Sequence, residues 1–568
     1  GGYRQPAHSH EGAPPVPRAA CARAMVARLA AAAATLAAPL APHLLAAVQP
    51  AARTDVESLP GVGKLADVNL SVSAGYLNAG TAPDPSKGTM YFHYYCAGAA
   101  DLPEDAPLLI WYNGGPGASS LFGMLQEFGP LLLTEQSYDE EYKKSGVPTP
   151  QANPYAWTKF STVCAIDSPA PMGLSFCTAE GPKGGPRSCG AWKDSDVAKA
   201  NNAAHRALFT DAFPEWQKQG KKTFVVGESY AGIYVPTFVD QLLSNPVPGL
   251  ELQGFAVGDG MTGCHPVEGM PADYCVNLTN VGLFQYPNAL PGPKYDVMFF
   301  HGHSQMSEQT YRDIVATCSD DEMEGKSLPL SPPCANLIET MSEEVGYFYP
   351  YNLLQACPVP KADGRHVDGH GANMALRARK LQRATAMATA APAVSPGAGD
   401  GGVGSPCLGD AMPEWLLLPV TLKALGADAD SSFNNVDNGI GFDYTTDQTF
   451  VGPIYARALN AGLRVLVYEG DTDACGLQTA PNEDTWVPFF DGVMNQTHPW
   501  RPWRLSSDVA QAGFSMEWDD GRATFASLRG AGHLGPLDRP AAAADLMRGF
   551  VLDDATIGAR RRFRAASS

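Results

Sequence analysis

Ser229 lies in the segment Gly227-Glu228-Ser229-Tyr230-Ala231-Gly232, directly after an apolar run and at the head of a helix-like stretch. A serine hydroxyl is a weak nucleophile until a base takes its proton and an acid holds that base in one tautomer. The strand-to-helix turn that presents such a serine is sharp, and it needs small residues two positions to either side. Gly227 and Ala231 occupy those positions. The turn lifts the hydroxyl above a sheet and leaves neighbouring backbone N–H groups free to receive an oxyanion. Two later segments complete the set in the order nucleophile, acid, histidine. Glu469-Gly470-Asp471-Thr472-Asp473 closes one apolar run, and Arg529-Gly530-Ala531-Gly532-His533 closes another. Both aspartates of the first loop are candidates to orient the imidazole.

These loops need strands beneath them. Leu108–Tyr112, Thr223–Val226, Leu463–Tyr468 and Ala523–Leu528 are short apolar runs ended by glycine-rich or polar turns, and each reads as a buried strand. Helix-like stretches at about 194–210, 229–243 and 539–552 alternate with them. The alternation predicts an α/β fold, with a mostly parallel central sheet and helices on both faces. From about 262 to 410 the pattern changes to cysteines, prolines and mixed polar residues, which predicts an insertion. Within it, 384–406 has almost no large apolar side chain to offset its ordering entropy and reads as a disordered linker. The basic stretch 377–383 just before it is either a processing site or an exposed helix end. The expected organisation is a leader (1–52), a first core part (53–261), the insertion (262–410) and a second core part (411–568).

Composition narrows the setting. The chain has 568 residues, 45% hydrophobic and 17% charged, enough for a large core. Its formal net charge of −19 would repel a phosphate backbone, which argues against nucleic acid as a partner. Fifty-eight Gly and forty-eight Pro exclude a coiled coil. After the leader no apolar run reaches membrane-spanning length, so no span is expected in the mature chain. None of the twelve cysteines forms a CxxC, and no His–Cys cluster has zinc spacing, so no metal is expected. Their crowding between 264 and 407 suggests disulfides across the insertion. Asn69, Asn277 and Asn495 each begin a glycosylation sequon. Met25, Arg28 and the Ala/Leu stretch to about 47 read as a secretory signal peptide. The expected destination is the secretory pathway, ending in a vacuole, a lysosome or outside the cell, where disulfides persist.

Four spaced motifs together give the chain a resemblance to the serine carboxypeptidases, which share the α/β-hydrolase fold. They are Trp111-Tyr112-Asn113-Gly114-Gly115-Pro116-Gly117-Ala118-Ser119-Ser120, the segment around Ser229, Gly470-Asp471-Thr472-Asp473-Ala474-Cys475, and Gly530-Ala531-Gly532-His533-Leu534-Gly535-Pro536. Glu127-Phe128-Gly129-Pro130, Asn153–Trp157, Asp167-Ser168-Pro169 and Gln253–Gly260 support it, and the likeness runs from about 58 to 555. The resemblance implies a triad of Ser229, Asp473 and His533, with an oxyanion hole from the amides of Gly115 and Tyr230. It implies that Asn113, Gly114, Glu127 and Glu228 bind the free carboxylate of a peptide or protein C-terminus. It implies an acyl-enzyme reaction that needs no cofactor, and an insertion that caps the site. Two glutamates can bind an anion only when protonated, because packed carboxyls raise one another's pKa and then donate hydrogen bonds. An acid working range follows.

Departures from the family pattern are informative. Ala118 stands where the family usually has a cysteine that pairs with one resembling Cys407, so Cys407 is free or paired elsewhere. Leu534-Gly535, Asp259 and Ala170-Pro171-Met172 also replace usual residues. Cys475 resembles a cysteine that some members carry near the histidine. Two alternatives stand beside this reading, an acyltransferase resembling the family and a non-catalytic binding protein on the same scaffold, and the retained residues weigh against both. The acyltransferase branch tends to lose the equivalents of Asn113 and Glu228, and a non-catalytic binding protein has no reason to retain Ser229, Asp473 and His533 together.

Overall fold

A computed structural model describes residues 50–263, 292–327, 329–346, 348–349, 351–355, 409–436, 442–474, 479–505 and 510–552. The expected leader up to residue 49, the linker 384–406, the basic stretch 377–383, and Asn277, Cys407 and Cys475 lie outside them.

One twelve-stranded sheet organises the fold. Its strands in chain order are β1 (Thr54–Asp55), β2 (Leu70–Thr81), β3 (Thr89–Ala99), β4 (Leu108–Tyr112), β5 (Thr162–Ile166), β6 (Phe176–Cys177), β7 (Lys221–Glu228), β8 (Leu250–Gly258), β9 (Arg464–Gly470), β10 (Gln496–Arg504), β11 (Gln511–Trp518) and β12 (Ala523–Leu528). In space the order is β1-β2-β3-β5-β4-β7-β8-β9-β12-β11-β10, with β6 added to β3. The six central strands, β5 to β12 in that order, are all parallel. Antiparallel strands flank them on both sides.

The centre is apolar because parallel strands are buried on both faces. Along β4, Leu108, Ile110 and Tyr112 join one core, whereas Leu109 and Trp111 join the other. Strand β9 repeats this with Val465 and Val467 against Leu466 and Tyr468. Helices α1 (Asp194–Ala207) and α2 (Ala231–Ser244) cover the first face, contributing Val197, Ala204, Ile233 and Phe238. Leu546 and Met547, from the helix Pro540–Leu552, cover the second. The α/β expectation therefore holds. The four expected strands match within a few residues, and two of them, Leu108–Tyr112 and Ala523–Leu528, match at both ends. The helix expected at 194–210 ends as an α-helix at Ala207 and continues as a π turn, Leu208–Ala212.

Between β8 and β9 the chain leaves the sheet. Helices α3 (Lys294–Gly302), α4 (Glu308–Thr317) and α5 (Pro332–Val345) gather around Val297, Ile314, Cys334 and Met341, an apolar cluster of their own. Cys318–Cys334 ties α5 to the end of α4. The expectation of disulfides within the insertion holds for this bridge, and two further described bridges lie outside it. Cys96–Cys164 joins β3 to β5 at paired positions, and Cys177–Cys189 closes a loop beyond β6.

Candidate active site

The parallel strands carry the chemistry at their carboxyl ends, as open α/β sheets do. At the end of β7, Ser229 has φ +63°, a left-handed conformation that costs a non-glycine residue energy and marks a strained elbow. Three backbone hydrogen bonds hold it. Its N–H donates to the Gly258 carbonyl at 2.9 Å, and its own carbonyl accepts from Gly232 N at 2.9 Å and Met261 N at 3.0 Å. Small neighbours are a geometric necessity: a Cβ on Gly227 would stand 2.6 Å from both the Ala231 Cβ and the Tyr112 carbonyl oxygen. Ser229 itself is half-buried.

The imidazole comes from the loop after β12. His533 Nδ1 lies 2.8 Å from Asp473 Oδ2, with the histidine 3% and the aspartate 0% exposed. A carboxylate there accepts the Nδ1 proton, which leaves Nε2 as the basic atom. Asp471, the other acid of the loop, does something else. Its Oδ1 accepts from Gly530 N at 2.6 Å and so ties the two loops together. The insertion reaches this point as well, since His533 N donates to the Tyr351 carbonyl at 2.6 Å and the two rings lie 5.3 Å apart. Asn352 bonds Thr472 and Asp538, and Asp538 Oδ2 also accepts Gly532 N at 2.7 Å. Burial pushes the Asp538 carboxyl up to about 7. Tyr351, Asn352 and Asp538 are not among the site residues expected from the sequence. The first two sit outside any motif, whereas Asp538 stands five residues after the histidine and was open to inspection.

On the other side of Ser229, β4 runs into the glycine turn. A Cβ on Gly114 would fall 2.5 Å from Tyr230 N and 2.7 Å from the Ser229 Cβ, so this turn is pressed directly against the elbow. Gly115 has φ +112° and precedes a cis peptide to Pro116. The turn is anchored by Asp167, whose Oδ1 accepts from Ser119 Oγ at 2.5 Å and Ser120 N at 3.0 Å. Asp194 anchors Tyr230 by accepting its hydroxyl proton at 2.7 Å.

Asn113, Glu127 and Glu228 meet behind this turn, each at most 2% exposed. Asn113 Oδ1 accepts from Trp111 Nε1 at 2.8 Å and Gly123 N at 2.9 Å. That fixes the amide so that Nδ2 donates to Glu228 Oε1 at 2.9 Å and approaches Glu127 Oε1 at 3.5 Å. The second oxygen of each glutamate meets no amide or hydroxyl donor, and the shared Asn113 amide holds the two carboxyls together, an arrangement in which acids keep a proton between them. Burial pushes Glu127 up to about 7, and burial together with the charge of Glu127 pushes Glu228 well above the usual carboxylate range.

Of the metal-ligating groups described, Asp259, Asp473 and His533 bring one atom each within 4.8 Å of one another, but the His533 Nδ1 is already engaged by Asp473. The sequons Asn69 and Asn495 are both exposed, and Asn69 donates to Asp101 at 2.9 Å. No described helix is long and apolar enough to cross a membrane.

Parallel strands that present a strained elbow serine, an acid and a histidine in that chain order define an α/β-hydrolase. The grouping is narrower than that. The chain belongs to the serine carboxypeptidase family, whose model matches residues 60–553, and it is an enzyme of that class. It is 27% identical over 501 residues to serine carboxypeptidase-like 21 of Arabidopsis thaliana, covering 84% of this chain and 90% of the relative. It is 28% identical over 513 residues to the lysosomal protective protein of Mus musculus, covering 88% and 93%. In fold it is similar to Kex1(delta)p, a prohormone-processing carboxypeptidase from Saccharomyces cerevisiae, with a TM-score of 0.55, 18% identity and coverage of 88% of this chain and 94% of that one.

Proposed function

We propose that the protein removes single residues from the C-termini of peptides and proteins, at acid pH, through an acyl-enzyme on Ser229. His533 Nε2 takes the Ser229 proton as the oxygen attacks the last peptide carbonyl, while Asp473 holds the ring and stabilises the imidazolium. The amides of Gly115 and Tyr230 receive the developing oxyanion, and the close approach of Gly114 to Tyr230 N supports that pairing. His533 returns the proton to the leaving amine, and water then cleaves the ester in the same way. Asn113 and Gly114, with the neutral carboxyls of Glu127 and Glu228, would hold the terminal carboxylate of the substrate. The single observation that carries this reading is the buried Glu127–Glu228 pair on Asn113 Nδ2, beside the elbow. A general esterase has no use for a proton-sharing pair at that position. Three described disulfides suit an oxidising compartment, so we place the protein in the secretory route, in a vacuole or lysosome or outside the cell.

The reading is tested by incubating the protein with one peptide as the free acid and as the C-terminal amide, and following products by mass spectrometry. The free acid should give a ladder shortened one residue at a time. The amide should react on the order of a hundredfold more slowly, because its terminus cannot pair with the acid cluster. Equal rates, or internal cleavage, would contradict carboxypeptidase action.

A further inference from the structure

A second pair of buried carboxyls lies behind the triad. Asp259, just past the end of β8, is 0% exposed and has φ +43°, a conformation unusual for a residue with a side chain. Its N–H donates to the Tyr468 carbonyl at 2.9 Å, and its Oδ1 accepts from Gly470 N at 2.8 Å. Gly470 opens the turn that carries Asp473. A Cβ there would lie 2.0 Å from the Gly532 carbonyl oxygen, so Gly470 is also wedged against the histidine loop. Asp259 therefore pins the residue at which both triad loops meet. Its carboxyl comes within 4.8 Å of the ligating atoms of Asp473 and His533, and the equally buried Glu469 follows Tyr468, the register partner of Gly258, so the two acids stand side by side at the ends of adjacent strands.

We propose that Asp259 is a positioning residue of the triad, which fixes the Asp473 turn through Gly470 and shares one proton with Glu469 directly behind it. The inference rests on the reading of Ser229 as nucleophile. The groups facing Asp259 are Glu228 from β7, Tyr468 and Glu469 from β9, Asp473 from the turn that follows, and His533 from the loop after β12. Most of them are acids. Burial first, and then the charges of Glu469 and Asp473, hold the Asp259 carboxyl well above its ordinary range, so its proton stays in place at acid pH. Once that proton leaves, Asp259, Glu469 and Asp473 become three like charges crowded beside one imidazole. The proton shared between Asp259 and Glu469 is then gone, the two carboxylates repel each other behind the Asp473 turn, and the reaction slows on the alkaline side.

The test is the rate at which a fluorophosphonate labels the full chain from pH 4 to 9. This probe has no peptide carboxylate and so bypasses Glu127 and Glu228. Asp259→Asn keeps an acceptor for Gly470 N and donates to Glu469 at every pH, with no proton to lose. It should move the alkaline limb upward by about one pH unit or more. Asp259→Ala leaves Gly470 N without its partner and should slow labelling on the order of tenfold at all pH values. Superimposable alkaline limbs for the unaltered protein and Asp259→Asn, with both folded by thermal melting, would overturn the proposal, whether or not Asp259→Ala folds. Failure of the unaltered protein to label would strike instead at the nucleophile reading.

Discussion

Ser229→Ala is expected to lower peptide turnover by about ten-thousand-fold or more, with little change in melting temperature. The size follows from the loss of the only atom proposed to become covalently bonded to substrate. His533→Ala should lose as much, because an unassisted serine is nearly as poor a nucleophile as none. The double variant should then lose no more than either single change, since the two residues act as a unit. Stability should be spared because the strained φ of +63° at position 229 is imposed by the backbone hydrogen bonds to Gly258, Gly232 and Met261, not by the hydroxyl. Steady-state rates for the three variants on one peptide check this. Additive losses would mean that serine and histidine work independently.

The second large effect concerns pH. Glu127 is pushed up to about 7 and Glu228 well above the usual carboxylate range, so at acid pH both carboxyls are expected to be neutral and to donate hydrogen bonds to the substrate carboxylate. As pH rises through that value Glu127 ionises, and a buried negative charge then faces the anion it should hold. KM for a free-acid peptide is expected to rise about tenfold or more between pH 5.5 and 8.5. Glu127→Gln removes the first proton to leave and should flatten that rise. The same sign governs stability. An acid raised in the folded state contributes stability that is complete below its unfolded pKa, near 4.5, and is lost as pH climbs through about 7. The melting temperature should therefore fall over that interval, and by less in Glu127→Gln. A KM that is flat with pH in the unaltered protein would contradict protonated-carboxyl binding.

The parts of this fold most legible in sequence are those that bury a strand on both faces. Leu108–Tyr112 and Ala523–Leu528 are continuous apolar runs because each packs against two cores, and their limits agree with the structure. The edge strand β10 carries no such signal, for the opposite reason. Strand β10, Gln-Thr-His-Pro-Trp-Arg-Pro-Trp-Arg, is an edge strand with two prolines and mostly exposed side chains, so nothing in it alternates clearly. In the site, the residues on short motifs were visible because tight turns demand particular neighbours, as Gly227 and Ala231 do around Ser229. The Asp259–Glu469 pair was not visible. Its members are far apart in the chain and come together because Gly258 and Tyr468 are register partners in β8 and β9, each followed by an acid. Tyr351 likewise reaches His533 through folding of the insertion, with no local signal to announce it.

Peptide mapping of the fluorophosphonate adduct decides whether Ser229 is the nucleophile. One adduct is expected on the folded protein, carried by the Ser229 side-chain oxygen and absent from Ser229→Ala. An adduct on a different side chain, or none on protein that melts cooperatively, would contradict that role.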